Sequence, residues 1–566
     1  MNAFGPKTLL KCQKGCVASS QVLATEIGVK ILKKGGNAAD SAVAVAAALN
    51  LLEPCSTGLG GDAFCLFYHK ASNTVKGLNA SGRSPKSLTL DVVKKMGYNE
   101  ENKPPVSSPL NITVPGACAG WVDCVEKFGS GKLTLQEILQ PAIELAESGF
   151  QMTSPITQYH WEEGSYLLSD KKNLHGNELL VKDKSTGEFF PPKLGQTFKN
   201  PTFAQVLKSI AKHGKNGFYK GWVADAIVDT VQNMGGFLTH EDLENHKSEF
   251  VVPISIEYKG FRLWEIPPNG QGLVALEVLN ILKNFNFSEM QHNSAEYLHI
   301  LAEAIRLSFN DALKYCGDMD FCEPPLNLLL SEDYGQKLAK KIKKDKAMEC
   351  SEIEQNGTSH GDTVYFTTAD TDGNFCSFIN SNYMGFGTGI VPKGCGFSLQ
   401  NRGRNFTLEL GHPNALEPCK RPYHTIIPAM LTDASTGEAV MSYGVMGGFM
   451  QPQGHVQVLL NMLEYGMNPQ QALDAPRLLV GSGHLGAVGK VNLETGISKE
   501  VIEALKRLGH DVNGPVTGFK RALYGRGQII ANRQFWKDDA TPLNCLWAGS
   551  DIRADGKAMG VETFCG

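Results

Sequence analysis

Four short segments, spread from Gly58 to Gly448, place small residues where a backbone must come close to something. They are Gly58-Leu-Gly-Gly61-Asp62-Ala-Phe64, Gly361-Asp362-Thr363-Val-Tyr365, Gly385-Phe386-Gly387 with Leu399-Gln-Asn-Arg-Gly403, and Gly444-Val-Met-Gly447-Gly448. Segments this far apart can serve one site only if the chain between them folds into one body. The 566 residues would otherwise suggest three or four domains at about 150 residues each. Convergence predicts one large fold instead. Composition allows it: 42% hydrophobic and 20% charged residues exclude a disordered chain, a coiled coil and a collagenous repeat. With 54 basic against 58 acidic side chains the net charge is −4, so no global attraction draws the chain to nucleic acid or an anionic membrane. A soluble enzyme is the class that remains.

Mixed helix and hairpin signals predict an α+β chain. Asn37 with Asp40 three residues on opens a helix through the alanine-rich Ala42–Leu52, and Pro54 closes it. Thr134 with Glu137, and Thr239 with Asp242, repeat the start signal. Leu298, Leu301, Ile305, Phe309 and Leu313 mark a long amphipathic helix from about Ser294 to Lys314. Hairpins are expected at Ala63–Tyr68 with Thr74–Asn79, at Thr363–Ala369 with Phe375–Asn382, and at Ala429–Thr432 with Ala439–Tyr443. A helix from about Gln453 and strands near Gln528 and Cys545 complete the C-terminal third. The lysine run from Lys337 to Lys346 reads as a solvated helix face.

Several signals exclude more than they suggest. The first fifteen residues have no apolar core and no small-residue cleavage site, so the expected compartment is the cytoplasm. The 14 cysteines show no CxxC and no clustered ligand set, which predicts free thiols in a reducing compartment. Gly481-Ser-Gly483-His-Leu-Gly486 matches GxGxxG, but no helix start follows it. His240-Glu241 fails HExxH because the next histidine is His246.

Thr363 carries a specific chemistry. If the Asp362–Thr363 bond were cut, the new α-amine would have a pKa near 7.7–8.0 and would sit within reach of its own hydroxyl. One residue would then be nucleophile and base. A Gly-Gly pair can aim two N–H groups at a developing oxyanion. A plain strand start and glycine turns remain the competing reading of the same residues.

The motifs GGNAADSAVA (35–44), EPCSTGLGGDAF (53–64), GDTVYFTTADTDGN (361–374), FGTGIV (386–391), GVMGGFMQPQGH (444–455) and DAPRL (474–478) together resemble the γ-glutamyltranspeptidase family of N-terminal-nucleophile hydrolases. The resemblance runs from about Ala18 to Gly560. It implies a four-layer αββα sandwich and a single proenzyme that cleaves itself between Asp362 and Thr363. Residues 1–362 and 363–566 would then be the large and small subunits of one domain. It further implies Thr363 as nucleophile, Ser381 in the place of a supporting threonine, and Gly447 and Gly448 as oxyanion donors. The partners implied are a small-molecule amide substrate and the chain's own two cleavage products, with no metal or organic cofactor.

The substrate-binding positions depart from the family pattern. Arg83, in Ser81-Gly82-Arg83-Ser84-Pro85, lies two positions nearer the proline than in the family's R-E-x-A-P setting. The Ser-Ser place reads His424-Thr425, and the positions that normally hold a substrate ammonium read Asn405, Tyr383 and Arg402. Asp62, where glycine is usual, is a candidate replacement counter-ion. The family default is a γ-glutamyl amide such as glutathione. The LQNRG and GVMGG variants resemble a side branch that includes oxamate hydrolysis, and Arg83, Arg402 and His424 suit a carboxylate-rich acyl group. A non-catalytic binding protein is the rival from another class. Thr363, Ser381 and Gly447-Gly448 kept together count against it.

Overall fold

The computed structural model describes residues 5–349, 361–481, 489–536 and 545–563; most of the GxGxxG match lies outside them. The fold is α+β, built on one 13-stranded sheet. Phe64, Leu66, Tyr365 and Ile379 from one half of that sheet pack in a single apolar cluster with Met430, Met446, Ile530 and Ala548 from the other half. Helices Ala38–Leu52 and Ala117–Phe128 cover the first half. Gly272–Leu282, Ala295–Tyr315 and Met450–Leu463 cover the second. The order of layers is therefore helix, sheet, sheet, helix. The sheet passes between layers through Leu10–Ser19. The first part of that strand pairs with Leu546–Ser550 and the last with Gly361–Ala369. A register shift lies between Gln13 and Cys16, with Lys14 and Gly15 at positive φ, and such a bulge sharpens the local bend.

The expected elements form for the expected reasons. Asn37 accepts from Ala39 and Asp40 N–H and Asp40 answers to the Asn37 N–H, giving a helix over Ala38–Leu52 that is buried on every side. The hairpin strands are Asp62–His69 with Thr74–Ala80, and Gly361–Ala369 with Phe375–Met384. Three readings change. Leu10–Ser19 is a central strand, although its mixed LKCQKGCVAS pattern shows no alternation. The helix of the lysine run ends at Ala339, so only Lys337 of those lysines lies on it. Cysteine spacing shows no ligand set, yet the crossing of one helix over two strands brings Cys65, Cys124 and Cys376 together. Among the described residues all cysteines are free thiols, and no helix is long and apolar enough to cross a membrane.

Candidate active site

Thr363 sits at an irregularity in its own strand. Asp362 pairs with Tyr383 and Val364 with Asn380, so the register shifts across Thr363 itself. The shift turns the Thr363 hydroxyl to Ser381, to which it donates at 2.9 Å. Ser381 Oγ also accepts from Tyr383 N–H at 2.8 Å and donates to the Asp362 carbonyl at 2.9 Å. One serine thus orients the threonine hydroxyl and polarises the carbonyl of the peptide bond just before it. Thr363 is 1% exposed and Ser381 fully buried. Close approach fixes the glycines of the first motif: a Cβ on Gly61 would lie 2.1 Å from the Ser381 carbonyl oxygen.

Arg526 closes the other side. It forms an ion pair with Glu53 at 2.6 Å, reaches Ser56 Oγ at 3.2 Å and the Thr363 carbonyl at 3.5 Å, and lies 3.9 Å from an Asp362 carboxylate oxygen. Spacing gave no signal for Arg526, although Glu53 and Ser56 lie inside the EPCSTGLGGDAF motif. Arg526 pairs across the ladder with Met446, which brings Gly447 and Gly448 next to the cluster. Both have positive φ, 133° and 60°, a backbone that L side chains resist. Among the described residues neither N–H donates to a protein acceptor. Gln271, also missed from sequence, ties this turn to the site by donating to the Gly448 and Thr425 carbonyls.

Two of the proposed substrate-binding residues, Arg402 and Tyr383, touch Ser381, and Thr425 joins them through Arg402. Arg402 donates to Ser381 Oγ at 3.3 Å and to Thr425 Oγ1 at 2.6 Å, and its guanidinium lies 4.3 Å from the centre of the Tyr383 ring. Arg402 is fully buried and its Nε has no partner. No carboxylate lies within 4.0 Å of it among the described residues. Burial pulls its pKa down to about 10, against the pull of Asp62 and Tyr383, so it stays charged at neutral pH. Asn405 is near the same wall, its amide donating to the Tyr423 carbonyl.

Asp62 and His424 form a separate buried pair at 2.9 Å. The Ile426 N–H donates to His424 Nδ1, which leaves Nε2 as the proton carrier toward Asp62. Burial, with Arg402 adding to it, pushes the imidazole down to about 4 despite Asp62. Burial works against the Asp62 charge too, but His424, Arg402 and Gln400 outweigh it and lower its pKa. The pair is a neutral imidazole donating to a carboxylate. Asp62 also accepts from Gly82 N–H, Gly116 N–H and Gln400. Its oxygens are already engaged by protein donors, so the structure gives it a scaffold position in place of the counter-ion role considered from sequence. Arg83 is likewise engaged elsewhere, by Asp318 at 2.9 Å, Asp320 at 2.5 Å and Glu249 at 3.1 Å.

The γ-glutamyltranspeptidase family model matches residues 24–561. The chain belongs to the γ-glutamyltranspeptidase family. It is therefore an enzyme of a hydrolase and acyltransferase family. It is 36% identical over 553 residues to the glutathione hydrolase-like YwrD proenzyme of Bacillus subtilis (strain 168), covering 97% of this chain and 98% of that one. It is 29% identical over 553 residues to the oxamate amidohydrolase proenzyme of Klebsiella pneumoniae, covering 96% and 98%. Among solved structures it is similar to the cephalosporin acylase from Bacillus halodurans, with a TM-score of 0.87 and 40% identity over 98% of this chain and 97% of that one. These γ-glutamyltranspeptidase relatives share the N-terminal-nucleophile hydrolase fold, and the sequence relatives are named as proenzymes.

Proposed function

We propose that this γ-glutamyltranspeptidase relative is a self-processing threonine amidohydrolase whose acyl substrate carries a carboxylate close to the scissile carbonyl, as oxamate does. The observation that carries the reading is Arg402, a buried charged guanidinium with no carboxylate within 4.0 Å among the described residues. It shares Ser381 Oγ with the Thr363 hydroxyl through hydrogen bonds of 3.3 and 2.9 Å, so guanidinium and nucleophile are at most the sum of those lengths apart. A carboxylate bonded directly to the reacting carbonyl fits that interval. A buried cation without an anion is costly, and a substrate carboxylate would relieve the cost with charge-assisted hydrogen bonds.

Processing comes first. Thr363 Oγ attacks the Asp362 carbonyl carbon while Ser381 holds the carbonyl oxygen. The C–N bond breaks, the nitrogen takes up a proton as the new α-amine, and an ester joins Asp362 to Thr363 Oγ. Water hydrolyses that ester and leaves a carboxylate on Asp362. The two products stay paired, because Thr367–Ala369 of the small one lie hydrogen-bonded against Cys16–Ala18 of the large one. In turnover the α-amine takes the hydroxyl proton, Thr363 Oγ attacks the amide carbonyl, and Gly447 and Gly448 N–H receive the oxyanion. The amine leaves with a proton, and water or another amine takes the acyl group from the ester.

γ-Glutamyl amides such as glutathione are the second reading, favoured by the relatives named glutathione hydrolase. They carry a carboxylate but also an ammonium. Asn405 and Tyr383 are neutral, and Asp62 is engaged by His424. One experiment tests both levels. On a denaturing gel, purified protein yields bands near roughly 39 and 22 kDa, mass being divided by chain length, and Thr363→Ala stays whole. The processed protein then releases ammonia from oxamate faster than it cleaves a γ-glutamyl anilide. A wild-type chain that stays whole after long incubation sinks the nucleophile assignment, and the opposite substrate order sinks the acyl assignment.

A further inference from the structure

Three thiols that take no part in this chemistry meet behind the sheet. Cys65 lies in strand Asp62–His69, Cys376 in strand Phe375–Met384 and Cys124 in helix Ala117–Phe128. All three are fully buried, and their sulfurs lie within 4.8 Å of one another. The Cys65 and Cys376 sulfurs lie 3.4 Å apart. Their surroundings are the apolar core under the helical layer, where Phe67 stacks on Phe128 and Phe378 on Phe366.

The ladder register argues against a disulfide as the purpose of this pair. Cys65 stands opposite Phe378 and Cys376 opposite Phe67, so the two cysteines are diagonal neighbours. Diagonal positions put their α-carbons roughly 7–8 Å apart, beyond the usual span of a disulfide. A metal bridges that gap with less movement. At a metal–sulfur length of about 2.3 Å, three sulfurs around one ion stand about 4 Å apart. The observed separations, 3.4 Å for one pair and all within 4.8 Å, bracket that spacing.

We propose that Cys65, Cys124 and Cys376 form a buried site for a soft monovalent cation of the Cu(I) type. Thiolate sulfur selects soft ions. Three sulfurs with no fourth His, Cys, Asp or Glu donor in the cluster among the described residues suit a low coordination number and disfavour structural Zn(II), which takes four ligands. Each S–H whose sulfur becomes a ligand gives its proton to solvent as the ion enters, and no electron is transferred because the ion arrives as Cu(I). The bound ion would staple helix Ala117–Phe128 to the two strands that also carry Asp62 and Ser381, independently of how the acyl substrate is assigned.

The test uses full-length reduced protein under anaerobic conditions, in a Cys419→Ser background because Cys419 is exposed. Cu(I) is offered in competition with a chromophoric chelator. The expected result is uptake of one equivalent, with more than about a hundredfold loss of affinity in Cys124→Ala, since even outer-shell changes at metal sites cost 10–100-fold. A second measurement needs no variant at the cluster. Differential alkylation and mass spectrometry of the Cu(I)-loaded protein in mild denaturant should find Cys65, Cys124 and Cys376 protected together. No uptake, protection of other cysteines instead, or retention of Zn(II) in preference to Cu(I) would each overturn the assignment.

Discussion

Arg402 and Arg83 are both guanidinium groups suited by sequence to hold a substrate carboxylate, and the fold treats them in opposite ways. Arg83 is ringed by Asp318, Asp320 and Glu249, and its side chain keeps 25% of its exposure. Arg402 is fully buried, stacked on Tyr383 and, among the described residues, its guanidinium is bonded to the hydroxyls of Thr425 and Ser381. A positive charge marks a binding position only where it is left without an internal partner. Arg83 is already neutralised by the protein. Arg402 is held charged next to the nucleophile, and among the described residues no carboxylate lies within 4.0 Å of it.

The largest expected effect comes from the anion behind Arg402. In Asp62→Asn the carboxylate that receives four protein donors is lost, and a hydrogen bond to a charged group contributes about 1.5–3 kcal/mol, so the variant should lose at least about that much. Urea unfolding at pH 7 should show that loss. If the variant instead kept wild-type stability and lost substrate affinity, Asp62 would be a substrate counter-ion after all. The same pair gives a pH signature. His424 is neutral in the folded state, with its pKa at about 4, and has an ordinary value of 6.5. The unfolded chain therefore binds the extra proton between those values. Stability is fully present above pH 6.5 and falls as pH drops toward 4, by up to about 1.4 kcal/mol per pH unit for this one group.

Arg402→Gln tests the free guanidinium directly. A charge-assisted hydrogen bond contributes about 1.5–3 kcal/mol, so kcat/KM for a carboxylate-bearing acyl amide should fall about 10- to 150-fold. The decisive quantity is the ratio to an amide with an uncharged acyl group, because Arg402 also touches Ser381 and its loss slows both. An unchanged ratio would remove Arg402 from substrate binding and restore the symmetry with Arg83.

The contrast between the two arginines marks where sequence stops being informative. Local signals were legible. The Asn37–Asp40 box, the Asp-Gly turn after Ala369 and the spacing Leu298–Leu313 depend on neighbours along the chain, and each forms as expected. Thr363 with Ser381 and the Gly447-Gly448 turn were legible through motifs, and the fold brings them to one place. Partners supplied from afar were not. Glu53 and Arg526 are 473 residues apart, Asp62 and His424 are 362 apart, and the acids around Arg83 come from two other elements. Nothing in the string Ser-Gly-Arg-Ser-Pro states that three carboxylates await its arginine. The strand Leu10–Ser19 was missed for a related reason. Gly15–Ser19 are buried at the crossing of two layers while Lys11 and Lys14 are exposed, so no regular alternation runs along the strand.

The smallest expected effect is the control that completes the comparison. In Arg83→Gln the buried member of its acidic ring, Asp318, keeps the Arg421 backbone N–H at 2.8 Å, and Glu249 keeps the Arg421 guanidinium at 2.7 Å. A second cation therefore remains among the acids. The partly exposed pairs that are lost contribute about 0.2–1 kcal/mol each, so unfolding in urea should show a loss of about 1 kcal/mol. With its charge already matched inside the protein and both terminal nitrogens engaged, Arg83 has little to offer a substrate carboxylate, and kcat/KM should change less than about twofold. A tenfold rise in KM with kcat unchanged would mean that a substrate carboxylate displaces one of the three acids, making the ring a guarded binding position in place of a closed one.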